Sequence, residues 1–188
     1  GGIPTDIDPF TVYGLFNRGL ATAKRWTVAR GIGGALGVHA PLHDDFEGVP
    51  TLLNINATLY DQARRGEGDI ERLWDLFTAA LAYADRPTEQ TGAAFCHAYD
   101  AVLKQRNASW NVTMGLFWVR PYAYVNLSSR DRWFLSLPDR MPPDVNAEVS
   151  QLASPPGAFA YLALCDRVLD AMSSGTYDYT TFPELSAC

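Results

Sequence analysis

Cysteine is scarce in this chain, and the three cysteines, Cys96, Cys165 and Cys188, are widely separated and form no CxxC pair. An odd number of isolated thiols indicates free cysteines in a reducing compartment rather than a disulfide framework or a zinc site. No apolar run approaches the roughly 18 residues that a membrane-spanning helix needs, and the first residues show no signal peptide. We therefore expect a cytoplasmic protein with no membrane partner.

Local patterns that mark common catalytic sites are also absent. The sequence has no HExxH, no GxSxG, no Walker motif and no cysteine–histidine cluster. One histidine pair has neighbouring carboxylates, and this group comprises His39, His43, Asp44 and Asp45. Pro41 between the histidines disfavours the helix that would align them, which favours a solvated loop over a metal site. We therefore expect no enzyme, no metal and no cofactor.

Acidic residues are missing from two windows of an otherwise acidic chain, whose formal net charge is −6. Residues 11–43 contain four basic side chains and no Asp or Glu, and residues 101–130 repeat this pattern. Each window is therefore +4, and the remainder carries −14. Such patches can attract a polyanion although the whole molecule is acidic. They can equally pack against acidic helices nearby, and composition does not separate these alternatives.

The residues that are present predict a mostly helical α+β domain with a small antiparallel sheet. A hydrophobic content of 47% over 188 residues indicates a globular domain with its own core. Caps and helical spacing predict five main helices, at 9–16, 21–36, 70–83, 88–106 and 155–172. β-Branched and aromatic residues predict strands at Met114–Pro121 and Tyr122–Leu127, and a short extended segment at Thr51–Ile55. We assign residues 1–175 to this domain and residues 176–188 to a linker.

Spacing within the predicted helices indicates which side chains face the core. In the second helix, apolar residues at helical spacing include Trp26, Ile32 and Leu36. In the last helix, the predicted apolar face consists of Phe159, Leu162, Leu169 and Met172.

The segment from Trp110 to Leu135 is rich in both aromatic side chains and arginine. It contains three of the five tryptophans and no acidic residue before Asp131. Bases stack on aromatic rings and arginine neutralises phosphates, so this composition is typical of a nucleic-acid-binding surface. A core hairpin with solvated arginines at its edges is the alternative. The stacking candidates are Trp110, Trp118, Tyr122, Tyr124 and Trp133. The candidate phosphate or base-edge contacts are Arg120, Arg130 and Arg132, with Lys24, Arg25 and Arg30 as a second, backbone-contacting strip.

Four segments occur in a characteristic order: NINATLY after FEGVP, then DIERLWDLF, then WNVTMGLFWVRPYAYVNLSSRDRWFL, then FPELSAC. Together they resemble the N-terminal region of McrB-like AAA+ proteins, the motor subunits of modification-dependent restriction systems. The resemblance spans residues 8–186 and depends mostly on 117–121 and 126–130. It implies a DNA-recognition domain of an antiviral defence system, which can read a modified base by flipping it into an aromatic pocket. It further implies that the 176–188 linker leads to an AAA+ motor, absent from this sequence, that acts with a nuclease subunit.

Two functions from different classes stay open. The first is recognition of DNA, including modified DNA. The second is a protein-interaction or regulatory domain that senses a partner or a phage product and controls the attached motor. The acidic net charge and the helical content favour the second function. The aromatic and arginine residues are compatible with it, because tryptophan, tyrosine and arginine are also common in protein interfaces. Basic windows that meet on one concave face would favour DNA, whereas dispersed basic residues would favour a protein partner.

Overall fold

The computed structural model describes residues 6–41, 46–52 and 65–188. Within these ranges the chain forms α1 (Pro9–Phe16), α2 (Thr22–Ala35), α3 (Asp69–Asp85), α4 (Glu89–Leu103), α5 (Trp110–Val119), α6 (Ser129–Ser136), α7 (Pro143–Gln151), α8 (Ala158–Ser173) and α9 (Phe182–Ala187). Within the same ranges, β pairing is limited to one isolated parallel bridge between Arg18 and Leu52. The prediction of a mostly helical chain is therefore confirmed for the described residues.

The predicted antiparallel sheet is wrong, and α5 shows why. Residues 114–119 of the first predicted strand belong to this helix, which buries seven of its ten residues. A helix that is buried on nearly all sides carries apolar residues around its whole circumference. It therefore lacks the amphipathic period from which a helix is predicted, and its aromatic and β-branched residues resemble a buried strand.

The second predicted strand, Tyr122–Leu127, is a turn followed by an extended segment without a neighbouring strand. Its backbone groups bond to side chains instead. The Leu127 N–H donates to Thr113 Oγ1 at 3.1 Å, and the Tyr161 hydroxyl donates to the Val125 carbonyl at 2.8 Å. An extended segment whose buried polar groups are satisfied in this way needs no strand pairing.

Helix starts follow local signals at α1 and α4 but a tertiary contact at α8. The Asp8 carboxylate accepts a hydrogen bond from the Thr11 N–H at 2.8 Å, and Thr88 caps α4. Helix α8 begins at Ala158 rather than at the predicted prolines. The Asp100 carboxylate of α4 accepts a hydrogen bond from the Ala158 N–H at 2.9 Å. Contact with α4 therefore helps to fix where α8 begins.

Four stacked aromatic rings occupy the centre of the core. Phe95 and Tyr99 come from α4, Tyr161 comes from α8, and Tyr124 lies after α5; adjacent ring centroids are 5.3–6.4 Å apart. All four side chains are fully enclosed. The Tyr124 hydroxyl also donates to the Ala80 carbonyl of α3 at 2.7 Å. This stack holds together four parts of the chain and fixes the segment that leads into α6.

Residues 176–188, assigned to a linker from the sequence, pack onto the domain. They contain α9 and bury Tyr179, Phe182 and Leu185 in the core. Thr181 and Glu184 form a capping box at the start of α9. The motor that this linker was predicted to precede stays a prediction.

Candidate interaction surfaces

Three of the predicted nucleic-acid contacts are buried. Tyr124 lies in the aromatic stack, and Trp118 is 8% exposed with its indole N–H donating to the Pro50 carbonyl at 3.0 Å. Arg25 is 6% exposed, and its Nη2 donates to Asn17 Oδ1 at 2.6 Å. Burial lowers the pKa of the Arg25 guanidinium. These side chains stabilise the fold and are not available to a base or a phosphate in this conformation.

Arg120, Arg132 and Trp110 are engaged by partners within the chain. Arg120 pairs with Asp85 through Nε and Nη2, each 3.1 Å from Oδ1. Arg132 donates to the Leu127 carbonyl at 2.7 Å, and its guanidinium carbon lies 3.6 Å from the centre of the Trp110 ring. Burial lowers the pKa of Arg132 as well. Two residues predicted to contact a partner separately, Trp110 and Arg132, therefore contact each other.

The remaining predicted contacts are exposed but lie on different elements. Lys24 and Arg30 are on α2, Tyr122 is in the turn after α5, and Arg130 and Trp133 are on α6. Tyr122 is 63% exposed and Trp133 is 61% exposed. Because residues three apart are neighbours on a helix surface, Arg130 and Trp133 share one side of α6. The structure thus leaves exposed predicted residues on α2, on α6 and in the turn after α5.

A polar cleft of about 510 Å³ opens beside the first turn of α6. The buried Asp131 carboxylate accepts hydrogen bonds from the Asn126 amide at 2.7 Å and from the Ser128 hydroxyl. Burial raises the pKa of the Asp131 carboxyl, and hydrogen bonds from Ser128 and Ser186 oppose the increase. A helix N-terminus favours negative charge. In α6 the chain's own carboxylate already supplies that charge, which argues against a phosphate site in the cleft.

An apolar row on α2 faces outward. Val28, Ile32 and Leu36 recur every four residues and are 37%, 36% and 74% exposed. Lys24 continues the same row by one helical turn towards the N-terminus, and α2 contains three basic residues and no acidic one. These four residues are the α2 strip. The sequence analysis placed Ile32 and Leu36 at helical spacing in this helix, and the structure shows both side chains exposed.

Aromatic and arginine contacts anchor α2 through the half that precedes its glycines. The rings of Trp26 and Phe46 meet edge to face with centroids 6.1 Å apart. The guanidinium carbon of Arg25 lies 4.1 Å from the centre of the same Phe46 ring, and that of Arg30 lies 4.9 Å from the Trp26 ring. The first half of the helix that presents the α2 strip is therefore held in place by contacts with Phe46 and Asn17.

A second surface is a groove of about 600 Å³ where α4 and α8 meet the end of α3. Its apolar lining includes Tyr83, Cys96, Phe159 and Leu162, and its carboxylates are Glu89 and Asp166. Phe159 is 82% exposed, and no basic residue lines the groove among those that the structure describes. Burial, and then repulsion from Asp170 one turn away, raises the pKa of the Asp166 carboxyl. This surface is the α4–α8 groove.

Sequence reasoning placed Phe159 on the apolar face of α8, but its side chain lies outside the buried face of that helix. The fully buried face of α8 is instead formed by Tyr161, Leu164, Cys165, Val168 and Met172. Phe159 shares the outer side of the helix with Asp166 and Asp170, which follow at helical spacing. Those two acidic residues were the signal that could have identified Phe159 as exposed.

The described residues show no other recognisable type of site. None of their helices is long and apolar enough to cross a membrane, and nowhere in 6–41, 46–52 and 65–188 do three or more His, Cys, Asp or Glu side chains form a metal-binding group. His43, Asp44 and Asp45 lie outside the described residues, and His39 is exposed. All three cysteines are free thiols, and burial raises the pKa of Cys165 to about 12. A thiol with that pKa is protonated at neutral pH and is a poor nucleophile.

Comparison with known proteins gives one match. No curated protein and no solved structure is significantly similar to this chain. None of the comparisons connects it to McrB-like proteins, so that resemblance stays a prediction. One family model matches residues 2–188, and the chain therefore belongs to the family described as Domain of unknown function (DUF8425).

Proposed function

We propose that this domain is a protein-interaction or regulatory module that binds its partner through the α2 strip. The observation that carries this proposal is the row of exposed aliphatic side chains on an anchored helix, continued by Lys24. An exposed apolar patch with a polar border is typical of a protein contact. Nucleic acids are instead recognised mainly through cationic, polar and aromatic side chains.

The positions of the predicted DNA-contacting residues in the structure support the same proposal. Tyr124 and Trp118 belong to the core, and Arg25, Arg120 and Arg132 bond within the chain. The exposed predicted residues are distributed over α2, α6 and a turn. This distribution favours a protein partner over a single stacking platform. If the resemblance to McrB-like proteins holds, the bound partner would control the attached motor.

Affinity capture from a lysate of the source organism tests the α2 strip. The bait is the wild-type domain, and the test bait carries Ile32→Asp and Leu36→Asp, which place charge in the apolar row. We expect specific proteins to be lost from the test bait, because charged side chains would have to be desolvated in the interface. Tyr122→Asp is the matched control, since Tyr122 is equally accessible but lies on another element. Equal capture by all three baits would contradict the proposal.

Nucleic-acid recognition through α6 is a second candidate function. The observation that favours it is the exposed pair Arg130 and Trp133, a cation and an aromatic ring on one side of a helix. Fluorescence anisotropy with labelled duplexes, unmodified and carrying methylated or hydroxymethylated bases, tests it at low and moderate salt. Removing one phosphate contact with Arg130→Ala lowers the salt slope by about 0.9. Binding that is unchanged in an Arg130→Ala, Trp133→Ala double variant would exclude this surface.

A further inference from the structure

We propose that residues 31–36, the second half of α2, unfold and refold locally while the rest of the domain stays folded. This segment is the α2 arm. In the first half of the helix, Arg25 and Trp26 are held against the ring of Phe46. Helix α2 therefore consists of an anchored half and an arm that changes conformation.

Exposure on all sides distinguishes the α2 arm from the packed helices. Residues 31–40 are all exposed except Gly33, which is half-buried. The six residues of the arm span about 1.7 helical turns, so the exposed positions lie all around the helix. Most helical stability in proteins comes from packing one face of the helix against the rest of the molecule. The arm has little such packing, so its local free energy of unfolding is small.

Glycine lowers the stability of the arm further. The arm contains Gly31, Gly33 and Gly34, and glycine is among the least favourable residues in a helix interior. It loses more backbone freedom on folding than any other residue. Within the described residues, there is open space where a Cβ would lie at Gly31 and at Gly34, so close packing does not explain these glycines. Their effect is to favour the unfolded arm.

Local hydrogen bonds nevertheless define the folded form of the arm. The Val38 N–H donates to the Gly33 carbonyl at 2.8 Å, and the Gly37 N–H donates to the Gly34 carbonyl at 3.2 Å. These two bonds, with a φ of +69° at Gly37, form the Schellman motif that ends many helices. Since the partners are close in sequence, the helix end can form and open without a change elsewhere in the domain.

Opening of the arm divides the α2 strip. Lys24 and Val28 lie in the anchored half, whereas Ile32 and Leu36 lie in the arm. The four side chains form one row only while the arm is helical. This consequence rests on the proposed function, because a partner that binds the whole row selects the helical arm and reduces its unfolding.

Amide hydrogen exchange of the free domain, measured for each residue by NMR, tests the arm. Frayed helix ends open at almost no cost in free energy, whereas core helices open with a cost that approaches global unfolding. We expect the amides of residues 32–36 to exchange within about tenfold of the unfolded rate. Buried amides of α4 should exchange at least about a thousandfold more slowly than that rate. Greater protection of the arm than about tenfold would overturn the proposal.

A double variant, Gly31→Ala with Gly34→Ala, tests whether glycine holds the arm open. Alanine favours the helix at both sites, so the ratio of folded to unfolded arm is expected to rise about tenfold. Cα chemical shifts of the arm should move towards helical values. Gly92→Ala in the packed helix α4 is the matched control and should leave the shifts of the arm unchanged. Arm shifts that do not move in the double variant would also overturn the proposal.

Failure of the arm and failure of the proposed function give different results. If the arm is strongly protected but Ile32→Asp with Leu36→Asp abolishes capture, the strip binds as a permanently folded helix and the proposal for the arm is wrong. If the arm opens but those substitutions leave capture unchanged, local unfolding stands and the α2 strip is not the contact.

Discussion

Helices α5 and α2 both combine glycine with aromatic and β-branched residues, yet they occupy opposite environments. Helix α5 buries seven of its ten residues, whereas Arg25 is the buried residue of α2. Gly115 of α5 is packed so closely that a Cβ there would lie 2.6 Å from Phe10 Cδ1. Gly34 of α2 has no atom within 4 Å of the same position. Gly115 therefore allows close packing of α5, whereas Gly34 lies in open space on α2.

The two helices also differ in how the chain depends on them. Thr113 of α5 and Tyr161 of α8 form hydrogen bonds with the backbone of the segment before α6, so hydrogen bonds as well as packing stabilise the centre of the molecule. Helix α2 is anchored at Trp26 and Arg25, while the side chains of its outward row are 36–74% exposed. We therefore expect substitutions in the centre to change the free energy of unfolding, and substitutions in the α2 strip to change association.

The largest effect is expected for Tyr161→Ala, which removes a ring from the aromatic stack. Large-to-small substitution of a buried aromatic residue lowers the free energy of unfolding by about 3–5 kcal/mol. Leu36→Ala in the α2 strip is the matched comparison, and its effect should stay within about 0.5 kcal/mol because Leu36 is exposed. Urea unfolding of both variants measures the difference. Similar losses in the two variants would contradict the division into a packed centre and an open helix.

A smaller loss is expected for Thr113→Val, which keeps the shape of the side chain but removes its hydroxyl. Thr113 Oγ1 accepts from the buried Leu127 N–H at 3.1 Å, so the variant leaves that group without a partner. A buried unsatisfied donor costs about 1–3 kcal/mol. Thr113→Ser is the control, since it restores the acceptor and loses only a methyl group. If the serine variant is the less stable of the two, methyl packing rather than the hydrogen bond is the main contribution of Thr113.

These contacts explain which parts of the fold the sequence could predict. The bounds of α1 were predicted correctly because Asp8 and Pro9 are local signals. The segment 122–127 was predicted incorrectly because its backbone partners, Thr113 and Tyr161, are distant in sequence. Side-chain acceptors that replace a strand leave no pattern in the segment itself. Its aromatic and β-branched residues therefore indicated a strand.

The candidate surfaces show the same limit. Composition identified an arginine- and aromatic-rich segment, but its residues divide between core and surface according to contacts such as that of Arg132 with Trp110. Helical spacing gave α8 an apolar face without deciding whether Phe159 belonged to it. The absence of acidic residues in α2 was visible in the sequence, whereas the α4–α8 groove is assembled from residues of α3, α4 and α8. A groove formed by three helices has no signature in any one of them.

The next effect concerns Asp131, a buried carboxylate that accepts hydrogen bonds from Asn126 and Ser128. Burial raises the pKa of the folded carboxyl above the usual aspartate value of 3.8. Between pH 3.8 and the pKa of the folded carboxyl, the folded state binds more protons than the unfolded state. The stability contribution of Asp131 is therefore present below about pH 3.8 and is lost as the pH rises through the folded pKa. Asp131→Asn removes this dependence.

Urea unfolding at several pH values between about 3 and 7 measures this dependence as the wild-type free energy of unfolding minus that of Asp131→Asn. We expect the difference to fall as the pH rises and then to become constant. The exposed Asp144→Asn variant controls for the loss of one negative charge. A difference that grows with pH would show that the hydrogen bonds, rather than burial, dominate at Asp131.

The smallest effect is a gain in stability in α2. Gly34→Ala is expected to raise the free energy of unfolding by about 0.4–1 kcal/mol, because alanine restricts the unfolded chain and the site has open space. Gly37 also has open space but adopts a φ of +69°, so Gly37→Ala should destabilise the same region through backbone strain. Amide hydrogen exchange of α2 measures both changes locally. Because neither substitution alters the charges or the apolar row of the strip, partner binding should persist in Gly34→Ala, and stability and partner binding can then be assigned separately within one helix.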